Sequence, residues 1–106
     1  NIYPAEVENL IMPHPKVLTA AVVGMPDPVM GEKACAFVVL RNGQGFTFDE
    51  MVSFLKGKNI ASFKLPERLE VVEKFPMSGD GLKVLKRELA KGLIDNSQGH
   101  SGQGGD

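Results

Sequence analysis

Two histidines and a single cysteine in 106 residues leave little for metal or redox chemistry. Cys35 has no partner for an internal disulfide, which excludes a disulfide scaffold and makes a reducing cytoplasm the expected compartment. His14, Cys35 and His100 are scattered without the spacing of a zinc site, so no metal site is expected in the chain. An excess of one charge is also missing. Twelve Lys and Arg against 13 Asp and Glu give a net charge of −1, without the basic surplus of a general nucleic-acid binder. No apolar run approaches the roughly 20 residues of a membrane span. The start lacks a basic segment followed by an apolar one, so no secretory signal is read there. Asn1 stands where Met would and leads straight into a patterned segment, which reads as a piece of something longer. What is present is a globular composition, 42% hydrophobic, of a length that suits one domain. A chain of this size buries roughly 60–70% of its unfolded surface and needs no staples.

The pattern divides into short elements. Pro4 suits a first helical turn, and Glu6 and Glu8 favour the positive end of a helix. Val7, Leu10 and Ile11 form an apolar stripe, and Pro13 and Pro15 end it, so a helix is expected over Pro4–Met12. Lys16–Val23 and Lys33–Leu40 are apolar, valine-rich runs and read as buried strands. Gly24-Met25-Pro26-Asp27-Pro28 between them reads as a turn or loop, and Arg41–Phe46 as a hairpin loop. Thr47 and Glu50 have the spacing of a capping box and open the clearest helix, Thr47–Lys58. Its apolar face is Phe48, Met51, Val52 and Leu55, and Gly57 and Asn59 provide the stop. Ile60–Pro66 is a connector with one helical turn. Glu67–Phe75 alternates, with Leu69, Val71 and Phe75 on one side, and reads as a third strand. A loop, Pro76–Leu82, precedes a short helix over Val84–Gly92. Asp95–Asp106 is rich in Gly, Ser and Gln, and the span 93–106 is expected to be a disordered tail. The order αββαβα predicts an α+β domain over residues 1–92, with a small antiparallel sheet of about three strands flanked by helices.

Chemistry has one place to concentrate. Ser78, Gly79, Asp80 and Gly81 make a loop of small residues that lets a backbone approach a ligand closely. Lys83 follows as a flexible point charge able to reach an anion. On residue type and context alone it reads first as a solvated lysine in a basic stretch with Lys86 and Arg87. Ser78–Lys83 is not a Walker A loop, its glycines do not form the G-x-x-G of an RNA-binding loop, and Asp80 lacks the other acidic positions of a calcium loop. His14, set between prolines, reads as a surface cap or packing residue, and Cys35 as a small buried hydrophobe. No Ser–His–Asp or paired-carboxylate arrangement is visible.

Four stretches together resemble the small C-terminal domain of the acyl- and aryl-CoA synthetases, the adenylate-forming enzymes. IYPAEVEN, from Ile2, resembles the family's I-x-P-x-E-V-E segment. HPKVLTAAVVGMPDPVMGEKACAFVVL resembles its H-P-x-V…A-A-V-V-G-x-P-D-x-x-x-G-E…A-F-V-V run. IASFKLPERLEVVEKFP resembles A-x-x-K-x-P-x-R…V-x-x-x-P, and KVLKREL the K-I-L-R-R-x-L that closes the domain. One departure stands out. The family's usual form is P-x-[ST]-x-[ST]-G-K-[IV], whereas here Leu82 lies between Gly81 and the lysine. Reading Leu82 as a one-residue insertion aligns Lys83–Leu89 without gaps; the alternative places Leu82 itself at the lysine position and leaves that position without an amine.

The resemblance implies a two-step ligase. A carboxylic acid and ATP, with Mg²⁺, give an acyl-adenylate and pyrophosphate; CoA then takes the acyl group as a thioester and AMP leaves. It implies that Lys83 is the catalytic lysine, that Ser78, Gly79, Asp80 and Gly81 position it, and that the domain swings between the two half-reactions. It further implies a large N-terminal domain as partner, carrying the phosphate loop, the Mg²⁺ ligand and the acyl pocket. Two other readings remain: an aryl-acid adenylating enzyme that loads a carrier protein, and a free-standing α+β interaction module.

Overall fold

The apolar stripe of Val7, Leu10 and Ile11 sets the first element. In the computed structural model, which describes residues 3–27, 29 and 31–92, it lies on helix α1 (Tyr3–Ile11), with Val7 and Ile11 fully buried. Strand β1 (Val17–Asp27) and strand β2 (Gly31–Leu40) form an antiparallel hairpin, helix α2 (Phe48–Lys56) follows, and strand β3 (Arg68–Val71) completes a three-stranded sheet in the order β1-β2-β3. The α+β class and the number of strands are as expected. The sheet, however, is mixed: β3 runs parallel to β2, from Cys35 opposite Arg68 to Val38 opposite Val71. The cause is the connection. A hairpin reverses the chain, whereas the crossover through α2 and a 3₁₀ turn at Ser62–Lys64 returns it to the end from which β2 started.

The expected turn at residues 24–28 is shorter than its composition suggests. β1 continues through Met25, Pro26 and Asp27, which face Lys33, Glu32 and Gly31. Proline is tolerated because β1 is an edge strand. The Val22 N–H points away from β2 and donates to Glu8 Oε2 at 2.8 Å, so the nitrogen of Pro26, four residues on in unbroken register, also faces outward. No ladder bond is lost there.

Val7, Ile11, Val17, Ala20, Val22, Ala36, Val38, Phe46, Met51 and Leu55 form one buried cluster, joining α1, β1, β2 and α2. Helix α2 has the capping box read from the sequence. The Glu50 N–H donates to Thr47 Oγ1 at 3.1 Å and the Thr47 N–H to Glu50 Oε1 at 2.9 Å. Its buried face is Met51 and Leu55; Phe48 stays 40% exposed. β3 is shorter than the Glu67–Phe75 expected, and the inward alternation fails at its end. Leu69 packs against the core, but Val71 is 49% exposed.

The chain divides into two compact units, Asn1–Lys74 and Phe75–Asp106. The first holds the sheet, both named helices and the core cluster. In the second, residues 86–92 are helical, and Val84, expected to open that helix, instead forms an antiparallel bridge with Met77. The Leu85 carbonyl accepts the N–H of Glu88 at 3.0 Å and so starts the helix. The expected tail, 93–106, lies outside the described residues, as does His100.

Candidate functional site

In the second unit, the chain folds back on itself around Ser78–Lys83. The Leu85 N–H donates to the Pro76 carbonyl and the Ser78 N–H to the Lys83 carbonyl, both at 2.8 Å, on either side of the Met77–Val84 bridge. Inside these rungs the Gly81 N–H donates to the Ser78 carbonyl at 2.8 Å, closing a tight turn. Gly81 has φ of +73°, a left-handed conformation that a side chain would strain. Gly79 has no such requirement: a side chain there would meet open space.

Two side chains lock the turn. Asp80 Oδ1 accepts the Ser78 hydroxyl and, at 3.0 Å, the N–H of Leu82. Ser78 Oγ in turn accepts the Lys83 N–H at 3.2 Å, using the hydroxyl as donor and acceptor at once. The Ser78 hydroxyl and then the Leu82 N–H hold the Asp80 carboxyl below its ordinary range. Ser78, Asp80 and Gly81 are therefore brought together with Lys83, while Gly79 contributes no contact. Both the N–H and the carbonyl of Lys83 are tied to Ser78. Its side chain is exposed and takes no part in the ion pairs Lys16–Glu50, Lys64–Glu6 and Arg68–Glu70. The result is an amine on a fixed backbone. Leu82, the additional residue, sits at the tip of the same turn with its side chain 84% exposed.

Among the described residues of the first unit, the two side chains singled out for possible chemistry, His14 and Cys35, are both packed. The His14 ring lies 4.7 Å from Phe46 and 4.6 Å from Phe54, and its Nδ1 accepts the Lys16 N–H at 3.1 Å. Burial lowers its pKa, against the raising influence of Glu50. This is a packed ring that also caps the backbone, as its setting between prolines suggested. Cys35 is 1% exposed, and burial, reinforced by Glu70, pushes its thiol up to about 12. Among the described residues no group of three or more His, Cys, Asp or Glu could hold a metal ion. No helix among them is long and apolar enough to cross a membrane.

One surface feature escaped the sequence reading. Phe63 is 76% exposed and stands edge-on to Tyr3, with ring centroids 6.4 Å apart. Lys64, bound to Glu6 Oε1 at 2.9 Å, lies beside it. Residues 60 apart in sequence meet there, and periodicity cannot report such a pairing.

The turn and its exposed lysine fall on the loop that the resemblance assigned to an adenylate-forming enzyme, in a chain of the expected α+β class. Residues 6–82 match the family model described as the AMP-binding enzyme C-terminal domain, and the chain belongs to that family. Its relatives act on different acids. The chain is 44% identical over 89 residues to a mitochondrial medium-chain acyl-CoA ligase of Danio rerio, covering 84% of this chain and 14% of that protein. It is 41% identical over 90 residues to the 2,3-dihydroxybenzoate-AMP ligase of Bacillus subtilis, covering 85% of this chain and 16% of that one. The fold superimposes on the amide bond synthetase McbA of Marinactinospora thermotolerans with a TM-score of 0.78 and 33% identity, over 86% of this chain and 18% of the other. The chain thus corresponds to less than a fifth of each of these proteins.

Proposed function

We propose that residues 1–92 are the mobile C-terminal domain of an ATP-dependent acid–CoA ligase acting on a fatty or aryl acid, and that Lys83 is its catalytic lysine. The observation that carries this reading is the pinned turn. A lysine whose own peptide is fixed at both N–H and carbonyl starts its reach from a defined place, so only the freedom of its side chain is lost when the amine engages an anion. Such a group suits a task performed in another domain's pocket.

In the first half-reaction the carboxylate oxygen bonds to the α-phosphorus of ATP, the bond from that phosphorus to the α,β-bridging oxygen breaks, and pyrophosphate leaves with the electron pair. Negative charge on the carboxylate and phosphate oxygens is brought together and redistributed, and Lys83 supplies a cation to it. Ser78, Asp80 and Gly81 hold the turn from which it reaches. In the second half-reaction the sulfur of CoA bonds to the acyl carbon and AMP leaves with the electron pair of the broken acyl–phosphate bond. The domain swings between the two steps, so that its lysine serves the first. Mg²⁺ would neutralise phosphate charge and would be held by the large N-terminal partner domain, with the ATP phosphate loop and the acyl pocket. A reducing compartment such as the cytoplasm suits the free, buried Cys35.

The test uses the full-length protein. Lys83→Ala is expected to slow adenylation, followed as pyrophosphate release, by about 100-fold or more, as loss of one fixed oxyanion donor does elsewhere. Thioester formation from supplied acyl-adenylate should be spared. Equal loss in both half-reactions would refute the assignment.

A second reading has a specific observation in its favour. Identity to the 2,3-dihydroxybenzoate-AMP ligase is nearly that to the medium-chain ligase, 41% against 44%. On this reading the acid is an arene and the acceptor a carrier-protein thiol. Profiling acids and both acceptors with the full-length protein separates the two. A gene with no large domain encoded upstream of this segment would favour a free-standing interaction module over both.

A further inference from the structure

Two exposed asparagines share a left-handed backbone, Asn42 with φ of 53° and Asn59 with φ of 60°. Asparagine tolerates that region better than most residues with a side chain. The residues that follow them differ. Asn42 precedes Gly43, itself left-handed at φ of 66°, and a side chain built on Gly43 would meet open space. Asn59 precedes Ile60, whose branched β-carbon crowds the peptide nitrogen beside it. A third asparagine, Asn9, lies inside α1, where the next peptide belongs to the helical ladder. We propose that Asn42 is a site of spontaneous deamidation, converting to isoaspartate and aspartate while Asn9 and Asn59 persist, so that the loop after β2 records the age of the protein.

The reaction needs only water. The Gly43 nitrogen bonds to Cγ of Asn42, the bond from Cγ to the side-chain nitrogen breaks, and ammonia leaves with the electron pair and the proton of the Gly43 N–H. The product is a five-membered succinimide. Water then bonds to one of its two carbonyl carbons, the bond from that carbon to the ring nitrogen breaks, and a proton passes to the nitrogen. Opening at Cγ gives aspartate. Opening at the main-chain carbonyl gives isoaspartate, in which the chain runs through the former side chain and gains one carbon. Ring closure requires a free nitrogen and a backbone able to turn. Among the described residues the Gly43 N–H meets no hydrogen-bond acceptor. The turn resists rotation of Asn42 with one hydrogen bond, from the Gln44 N–H to the Arg41 carbonyl at 3.2 Å, and a single exposed bond opens readily. The ends of the loop are anchored independently. The Arg41 N–H donates to the Lys16 carbonyl at 2.9 Å, its Nε to the Val17 carbonyl at 3.2 Å, and Phe46 is buried. The loop between them absorbs the extra atom, and the modification adds a negative charge beside Arg41 without displacing β2 or α2.

The experiment holds the folded full-length protein at 37 °C and pH 8, digests it briefly in mild acid, and compares the peptides that carry Asn42 and Asn59 by mass spectrometry. Conversion raises the mass by about 1 Da, and fragmentation that tells isoaspartate from aspartate should find both at position 42. Conversion at Asn42 should exceed that at Asn59 at least about tenfold, since the two share exposure and backbone and differ in the crowding of the next nitrogen. Gly43→Asp puts a side chain beside that nitrogen in a residue the left-handed region still admits, and should slow conversion at Asn42 at least about fivefold. Equal conversion at Asn42 and Asn59 would overturn the proposal, as would a rate at Asn42 untouched by Gly43→Asp. Conversion at Asn42 seen only after unfolding in urea would overturn it too, because the native turn would then withhold the Gly43 nitrogen.

Discussion

At the scale of single residues, two chemically capable side chains are set apart by their surroundings. Lys83 is exposed on a pinned backbone, whereas Cys35 is 1% exposed inside β2. A thiol pushed up to about 12 from an ordinary 9.0 holds roughly 1,000-fold less thiolate near pH 8, and burial adds a steric barrier. Cys35 should therefore resist alkylation by iodoacetamide at pH 8 in the native chain and react fully in denaturant. Rapid native labelling would show that the strand opens. The exposure of Lys83 and the burial of Cys35 were both legible from context, a small-residue loop for one and an apolar run for the other. The hydrogen bonds that make the loop rigid were not. Ser78 and Asp80 are common turn residues, and only coordinates reveal that the hydroxyl bonds in both directions.

At the scale of elements, helix α2 was legible because its signals are local. Thr47 and Glu50 lie three apart and satisfy each other's N–H groups across that interval. Thr47→Ala should destabilise the chain by about 1 kcal/mol, read as a lower urea midpoint at unchanged m-value, whereas Thr47→Ser should cost much less. Strand pairing was less legible, because it depends on distant partners. Pro26 looked like the end of a strand, and the outward direction of its nitrogen, set by pairing with β2, is what lets the strand pass. The parallel course of β3 follows from the helix in the preceding crossover rather than from any property of Arg68–Val71. Alternation there gave the strand but neither its direction nor its length. The start of the last helix moved for a similar reason: Val84 is claimed by its bridge to Met77, a contact that helix periodicity does not report.

At the scale of the whole molecule, the titrating groups agree on the direction of acid sensitivity. His14 has a folded pKa below its ordinary 6.5, chiefly through burial. The unfolded chain then binds that proton more readily, so this contribution to stability is complete above pH 6.5 and is lost as pH falls toward the folded value. Protonation would also remove the Nδ1 lone pair that accepts the Lys16 N–H. Glu50 is held below its ordinary 4.5 by Lys16 and the Thr47 N–H, and Asp80 below its ordinary 3.8 by Ser78 and the Leu82 N–H. Their contributions are present above those ordinary values and fade as pH falls through the folded ones. The denaturation midpoint should begin to fall just below pH 6.5, and His14→Phe should remove that first fall while leaving the later one. A midpoint independent of pH between 7 and 5 would contradict the packed, neutral histidine.

The contact between Glu8 and Val22 has a consequence for the protein at high concentration. The outer margin of β1 would otherwise offer its free N–H groups as a template to a strand from another molecule. A carboxylate from α1 occupies one of them, at 2.8 Å, in the middle of that margin. Glu8→Ala should leave the monomer folded but make it sticky, with light scattering and sedimentation that depend on concentration where the unsubstituted chain shows none. One acidic side chain on a helix thus guards the solubility of a sheet to which it does not belong.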